Sequence, residues 1–189
     1  GAYAAKSVAT VKDAPVDPAP LPPSDPQPVQ QGSGANGPVV APAGYRAVRG
    51  AGYSYAVPTS WEELDAASLG SPLISHAQRA PIPAGNFATN VNVAAEPYSG
   101  DGPSYGAANL IELRKVSTIR NQRPATSGAR PAWDIEGYWP NSNGVPYVTL
   151  QRYVTNGFKG YVLTCSSGAT VFASQRPTCE AVLASFRVD

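Results

Sequence analysis

Residues 147–165 read YVTLQRYVTNGFKGYVLTC, and residues 179–189 read CEAVLASFRVD. In the first stretch, two runs rich in Val, Tyr, Leu and Thr flank Asn156-Gly157. Asn-Gly readily takes the two positive-φ positions of a tight type I′ turn, so the pattern predicts a β-hairpin. The second stretch changes period. Cys179, Val182, Leu183 and Phe186 fall at i, i+3, i+4 and i+7, which is one face of a short helix. Cys165 closes the second strand of the hairpin, Cys179 lies on the apolar helix face, and the chain has no other cysteine. A disulfide between them would staple the last helix to the sheet. Across this spacing it would stabilise the fold by about 3 kcal/mol in the chain-entropy account.

Composition limits the function classes. Of 189 residues only 14% are charged and the net charge is +1, against a usual charged share of about 25%. That balance supplies no overall electrostatic pull toward nucleic acid or an anionic membrane surface. No apolar run approaches the roughly 18 residues a bilayer span requires. Two cysteines among many Ser, Thr, Asn, Tyr, Pro and Gly point to an oxidising compartment. The chain contains no Met and begins Gly-Ala-Tyr-Ala-Ala. The expectation is a processed, exported form. The small residue at the front also suits the position after a lipidated cysteine, which would anchor the N-terminus in a membrane.

Residues 1–44 differ from the rest. They hold nine prolines and three acidic residues, and Tyr3 is their only aromatic. Such a segment buries too little apolar surface to offset its ordering entropy. Pro15 to Pro28 favour extended polyproline II, with a flexible break at Gly32 to Gly37. The segment reads as a tether or a docking arm, with Pro15, Pro18, Pro20, Pro22 and Pro23 as candidate partner contacts.

Residues 45–189 read as one folded unit. Tyr53, Tyr55 and Val57 alternate in a short strand ended by Pro58. Ser60 and Glu63 form a capping-box pattern ahead of a turn or short helix. Leu73 to Ala80 is a weak strand, and Phe87 to Ala95 alternate as a half-buried strand. Ser104 to about Arg120 is helical, with Ser104 as N-cap. Asn121 to Arg130 reads as a polar loop. Trp133, Ile135 and Trp139 share one parity of the next strand, and Asn141 to Gly144 turn it into the hairpin. Three final strands joined by tight turns must be antiparallel, and helices must cover their apolar face. The fold class is therefore α+β, a mostly antiparallel sheet packed with helices and preceded by an extended Pro-rich arm.

The order and three local patterns resemble the Mog1/PsbP-like fold family. They are Tyr55-Ala56-Val57-Pro58-Thr59-Ser60-Trp61, the alternating Asn86 to Ala95 strand leading to the Ala107 to Lys115 helix, and the closing Leu183-Ala184-Ser185-Phe186-Arg187-Val188. The resemblance covers about residues 50–189. The Cys165/Cys179 pair is not general to that fold, and the arm is not part of it. The resemblance implies a non-enzymatic accessory role, because familiar relatives bind larger protein partners and bacterial ones are often exported lipoproteins. The function that the resemblance implies is thus binding to a larger extracytoplasmic protein assembly, in a bacterial periplasm, outer membrane or cell surface. A small-ligand or lipid carrier is the alternative.

Residues that carry chemistry are sparse. His76 is the only histidine. On a regular strand its neighbour Ser75 would point to the opposite face, so the two make no catalytic dyad. One His and two paired cysteines cannot close a zinc site, and Asp101 among its glycines lacks the alternating carboxylates of a calcium loop. Glu62 and Glu63 fit capping. Asp134 and Glu136 share one strand face and could flank a sugar as acid and base, though such a pair is usually the solvated side of a strand. No catalytic, cofactor or metal residue is assigned. Among the aromatics, Tyr138 and Trp139 beside Pro140 are candidates for an exposed partner-contact pair, with core packing as the alternative.

Overall fold

The hairpin at Asn156-Gly157 forms the middle of the larger of two sheets. In this computed structural model, residues 39–83, 87–142 and 144–189 are described. The elements run β1 (Tyr45–Gly50), β2 (Tyr53–Pro58), β3 (Glu62–Leu64), a 3-10 turn (Ala66–Leu69), β4 (Ile74–Arg79), β5 (Asn90–Pro97), α1 (Gly102–Val116) and β6 (Thr118–Ser127). Then follow β7 (Arg130–Ser142), β8 (Val145–Thr155), β9 (Lys159–Gly168), α2 (Phe172–Ser185) and β10 (Arg187–Val188). The large sheet has seven strands in the order β3-β4-β5-β9-β8-β7-β6, and a small sheet has the order β1-β2-β10. All pairings are antiparallel.

Both faces of the central strands of the large sheet are covered. On one face, Val91, Val93, Val148, Leu150 and Leu163 pack with Tyr53, Tyr55 and Val57 of the small sheet and with Val182, Leu183 and Phe186 of the α2 segment. On the other, α1 lays Tyr105, Leu110 and Leu113 against Ile135, Trp139, Tyr147, Tyr153 and Val162. This double cover explains why Tyr147–Thr155 and Gly160–Gly168 are buried without alternation. It also corrects the half-buried reading of Phe87 to Ala95, since Asn90 and Asn92 are as buried as Val91 and Val93. The disulfide forms: Cys165 of β9 and Cys179 of α2 are bonded, with Cα atoms 5.6 Å apart.

Several local expectations change. The hairpin turn is centred one residue later than Asn156-Gly157. Thr155 pairs with Gly160, and the Asn156 N–H donates to the Lys159 carbonyl at 3.1 Å. The Asn156 carboxamide accepts from the N–H groups of Phe158 and Lys159, and Gly157 takes φ +94°. This side-chain-closed turn outcompetes the two-residue one. Residues 62–64 pair with β4 instead of starting a helix, so the Ser60/Glu63 capping box does not form, and Asp65 caps the 3-10 turn. Asp101, not Ser104, caps α1, accepting from the Ser104 N–H at 2.8 Å. The supposed loop from Asn121 lies mostly in β6, in a ladder with β7. Helix α2 starts at Phe172 and carries Pro177 inside it.

Candidate functional site

The sequence-predicted contact residues separate. Trp139 is in the core: its ring stacks on Tyr147 with centroids 5.6 Å apart, and its Nε1 donates to Thr149 Oγ1 at 3.2 Å. Successive strand residues face opposite ways, so Tyr138 faces the other side, half-buried, with the Arg120 guanidinium 4.5 Å above its ring. The two rings therefore do not make an exposed pair. Pro15, Pro18, Pro20, Pro22 and Pro23 lie outside the described residues.

Ser75 and His76 do converge, against the expectation from strand alternation. The β4–β5 register shifts between Ile74 and His76, and such a bulge puts consecutive side chains on one side. The Tyr53 hydroxyl bonds both Ser75 Oγ and His76 Nδ1, the latter at 2.7 Å. Burial pushes the Tyr53 hydroxyl above the ordinary phenol range. It therefore stays protonated and bridges the two groups. The arrangement pins β4 to the small sheet. No carboxylate bonds His76 among the described residues to complete a proton relay.

Asp134 and Glu136 are neither a solvated strand face nor an acid–base pair. Both are 8% exposed beneath α2. Asp134 holds Arg152 through two bonds of 2.8 Å, and Glu136 accepts Arg176 on both oxygens at 2.9 Å. Arg152 also donates to the carbonyls of Thr126 and Leu183. These charges cross-link β6, β7, β8 and α2. The cavity beside them has a volume of about 20 Å³, room for a single water. Asp101 and Glu62 are also occupied, by the α1 cap and by Arg79 at 3.6 Å respectively. Among the described residues, no group of His, Cys, Asp or Glu is arranged to hold a metal ion, and no helix is long and apolar enough to cross a membrane.

One surface stands apart, and the sequence reading missed it. Between Glu112 and Asp134 the chain carries Arg114, Lys115, Arg120, Arg123 and Arg130 and no acidic residue. The structure places four of these at the rim formed by the end of α1 and the outer strand β6, which is exposed along most of its length. A shallow open hollow of about 440 Å³ lies there, lined by Arg114, Ile119, Arg120, Asn121 and Gln122. The signal was available as a charge run, but a net charge near zero hid it.

No family model matches the sequence, and no curated protein matches it. Solved structures do. The chain is similar to cyanobacterial PsbP (CyanoP) from Synechocystis sp. PCC 6803, with a TM-score of 0.57 and 16% identity over 78% of this chain and 94% of that one. The fold is PsbP-like. The same PsbP-like architecture aligns with LpqN of Mycobacterium tuberculosis, a protein involved in cell envelope biogenesis. The TM-score is 0.55 and the identity 18%, over 79% of this chain and 88% of that one. A Pseudomonas aeruginosa protein of unknown function aligns with a TM-score of 0.52 and 12% identity, over 75% and 94%. The PsbP-like expectation from residues 50–189 is thus met at the level of fold.

Proposed function

We propose that this protein is an extracytoplasmic, non-enzymatic accessory protein that binds a larger protein assembly. Residues 45–189 act as the binding body and residues 1–44 as its tether or docking arm, with lipidation of the N-terminus as a route to membrane anchoring. The observation that carries the reading is where the uncommitted groups lie. The central strands of the sheet are sealed on both faces, their buried charges are mutually paired, and exposed basic residues line an outer rim shaped for contact rather than chemistry. The buried Cys165–Cys179 bond supports an oxidising compartment. The structural likeness to LpqN, an envelope-biogenesis protein, supports the same placement.

The test is purification of the full chain from its native membrane fraction after mild cross-linking. A defined set of extracytoplasmic neighbours should co-elute in a stable ratio. Elution as a free monomer, with residues 1–44 cut rapidly by protease, would remove the reading.

A further inference from the structure

We infer that the rim built from the end of α1 and from β6 is the docking site for an acidic, partly apolar polypeptide segment of a protein partner. This rests on the accessory reading above and names the chemistry of the partner.

Charge is the first argument. Five of the fourteen basic residues fall in the acid-free run between Glu112 and Asp134, leaving nine basic against thirteen acidic residues elsewhere. The chain is therefore polarised although its net charge is only +1. Clustered charge of one sign steers a complementary partner and orients it. Part of the run has an internal explanation. Arg114 and Lys115 sit in the last turn of α1, where the helix dipole favours cations, and Lys115 bonds Glu112 at 2.7 Å. Arg130 donates to the Val188 carbonyl, and Arg123 lies 3.8 Å from an Asp134 already held by Arg152. Arg114 and Arg120 have no carboxylate partner among the described residues.

Shape is the second argument. Arg114 and Arg120 line the same hollow, together with Ile119 and the neutral amides of Asn121 and Gln122. Arg120 is held in place by its stack on Tyr138, so less side-chain freedom is lost when it binds. Ile111, on the α1 face of Arg114, and Val116 are 62% and 48% exposed. A planar guanidinium fork suits a carboxylate, and the apolar margin suits a neighbouring aliphatic side chain. Exposed apolar groups on the helix beside the hollow, with Ile119 inside it, favour a mixed acidic peptide over a phosphate surface.

The edge itself argues against a second copy of this chain. The β6–β7 register shifts between Ile119 and Asn121, and Pro124 has no N–H to offer an added strand. Both features blunt edge-to-edge pairing. Recognition here is led by side chains rather than by extension of the ladder.

The test uses the full chain and fluorescence anisotropy with a labelled peptide of interspersed Glu and Leu, its Gln/Leu counterpart, and phosphatidylglycerol vesicles. The acidic peptide should bind, weakening as salt rises, and the Gln/Leu peptide should bind at least tenfold more weakly. The double reversal R114E/R120E should lose at least tenfold in affinity, the neutral pair R114Q/R120Q should lose less, and R49E on the far β1 strand should change little. Thermal midpoints of the variants confirm that the fold persists. Equal binding of the acidic and neutral peptides, no loss on reversal, or preferential capture of the vesicles would overturn the inference. Native co-purification separates the two claims. If R114E/R120E still carries its neighbours, the rim assignment fails and the accessory reading stands. If the wild-type chain carries none, the accessory reading fails whatever the peptide does.

Discussion

At Gly106, the second turn of α1 meets the sheet with no room for a side chain. A β-carbon there would stand 2.8 Å from Trp133 Cβ, and one at Gly102 would stand 2.3 Å from the Pro131 carbonyl oxygen. These two glycines set the height of α1 above β7. Gly106→Ala gains about 1 kcal/mol of helix propensity but overpacks the contact at a cost of about 1–3 kcal/mol. The expected outcome is a lower urea midpoint; a rise would mean that α1 can lift without loss. Arg152 presents the opposite case, a buried cation with every bond made to Asp134, Thr126 or Leu183. Arg152→Met leaves Asp134, 8% exposed, with only the distant Arg123 for a partner and should destabilise by about 3 kcal/mol. Replacing both partners, Asp134→Leu with Arg152→Met, should recover part of that loss in chemical denaturation.

Elements repeat this contrast between what a residue type shows and what its neighbours decide. The disulfide ties β9 to α2, so the C165A/C179A variant should lose about 3 kcal/mol and show faster amide exchange in α2 than in β8. Uniform loss of protection would mean that α2 is held by packing alone. At the start of α1, the Ser104 side chain and N–H bond Asp101 and hold its carboxyl below the ordinary value of 3.8. A depressed carboxyl stabilises above its unfolded pKa, and that contribution is lost as the pH falls through the lower folded one. Wild type and Asp101→Asn should therefore differ in thermal midpoint near neutrality and converge in strong acid. The hairpin, α1 and the apolar face of α2 were legible because their period is carried by Val, Tyr and Leu, whose burial dominates. Strand β6 was not, because an outer strand exposed on both faces has no hydrophobic alternation to read. Ser60 and Glu63 carried a true capping pattern, but pairing of β3 with β4 overrode it. Pro177 disguised the first turn of α2, and β10 is too short to have a period. The same logic separates the sites: Cys165 and Cys179 were readable from their faces, whereas Tyr138 and Trp139 depended on which side of β7 each ring took.

Across the whole molecule, tyrosines from both sheets and from α1 lie in the core. Burial raises the hydroxyls of Tyr55, Tyr105 and Tyr153 far above the phenol range and that of Tyr53 above it; Glu96 adds to the rise at Tyr105 and Tyr153. A group raised in the folded state stabilises fully below its unfolded pKa, about 10 for tyrosine, and that stability is lost as the pH climbs beyond it. Stability should thus fall steadily above about pH 10, with tyrosinate absorbance from these four appearing only as the fold opens. Early ionisation of all ten tyrosines without unfolding would contradict the burial described. Finally, β10 completes the small sheet by seating Arg187 and Val188 against Ser54 and Tyr53, and Ser185 reaches back to the Ala56 N–H. That margin of β2 therefore stays open until Arg187 and Val188, more than 130 residues further along the chain, fold back onto it. Removing residues 187–189 should leave β2 with a bare margin, able to recruit a stray strand where β10 now lies.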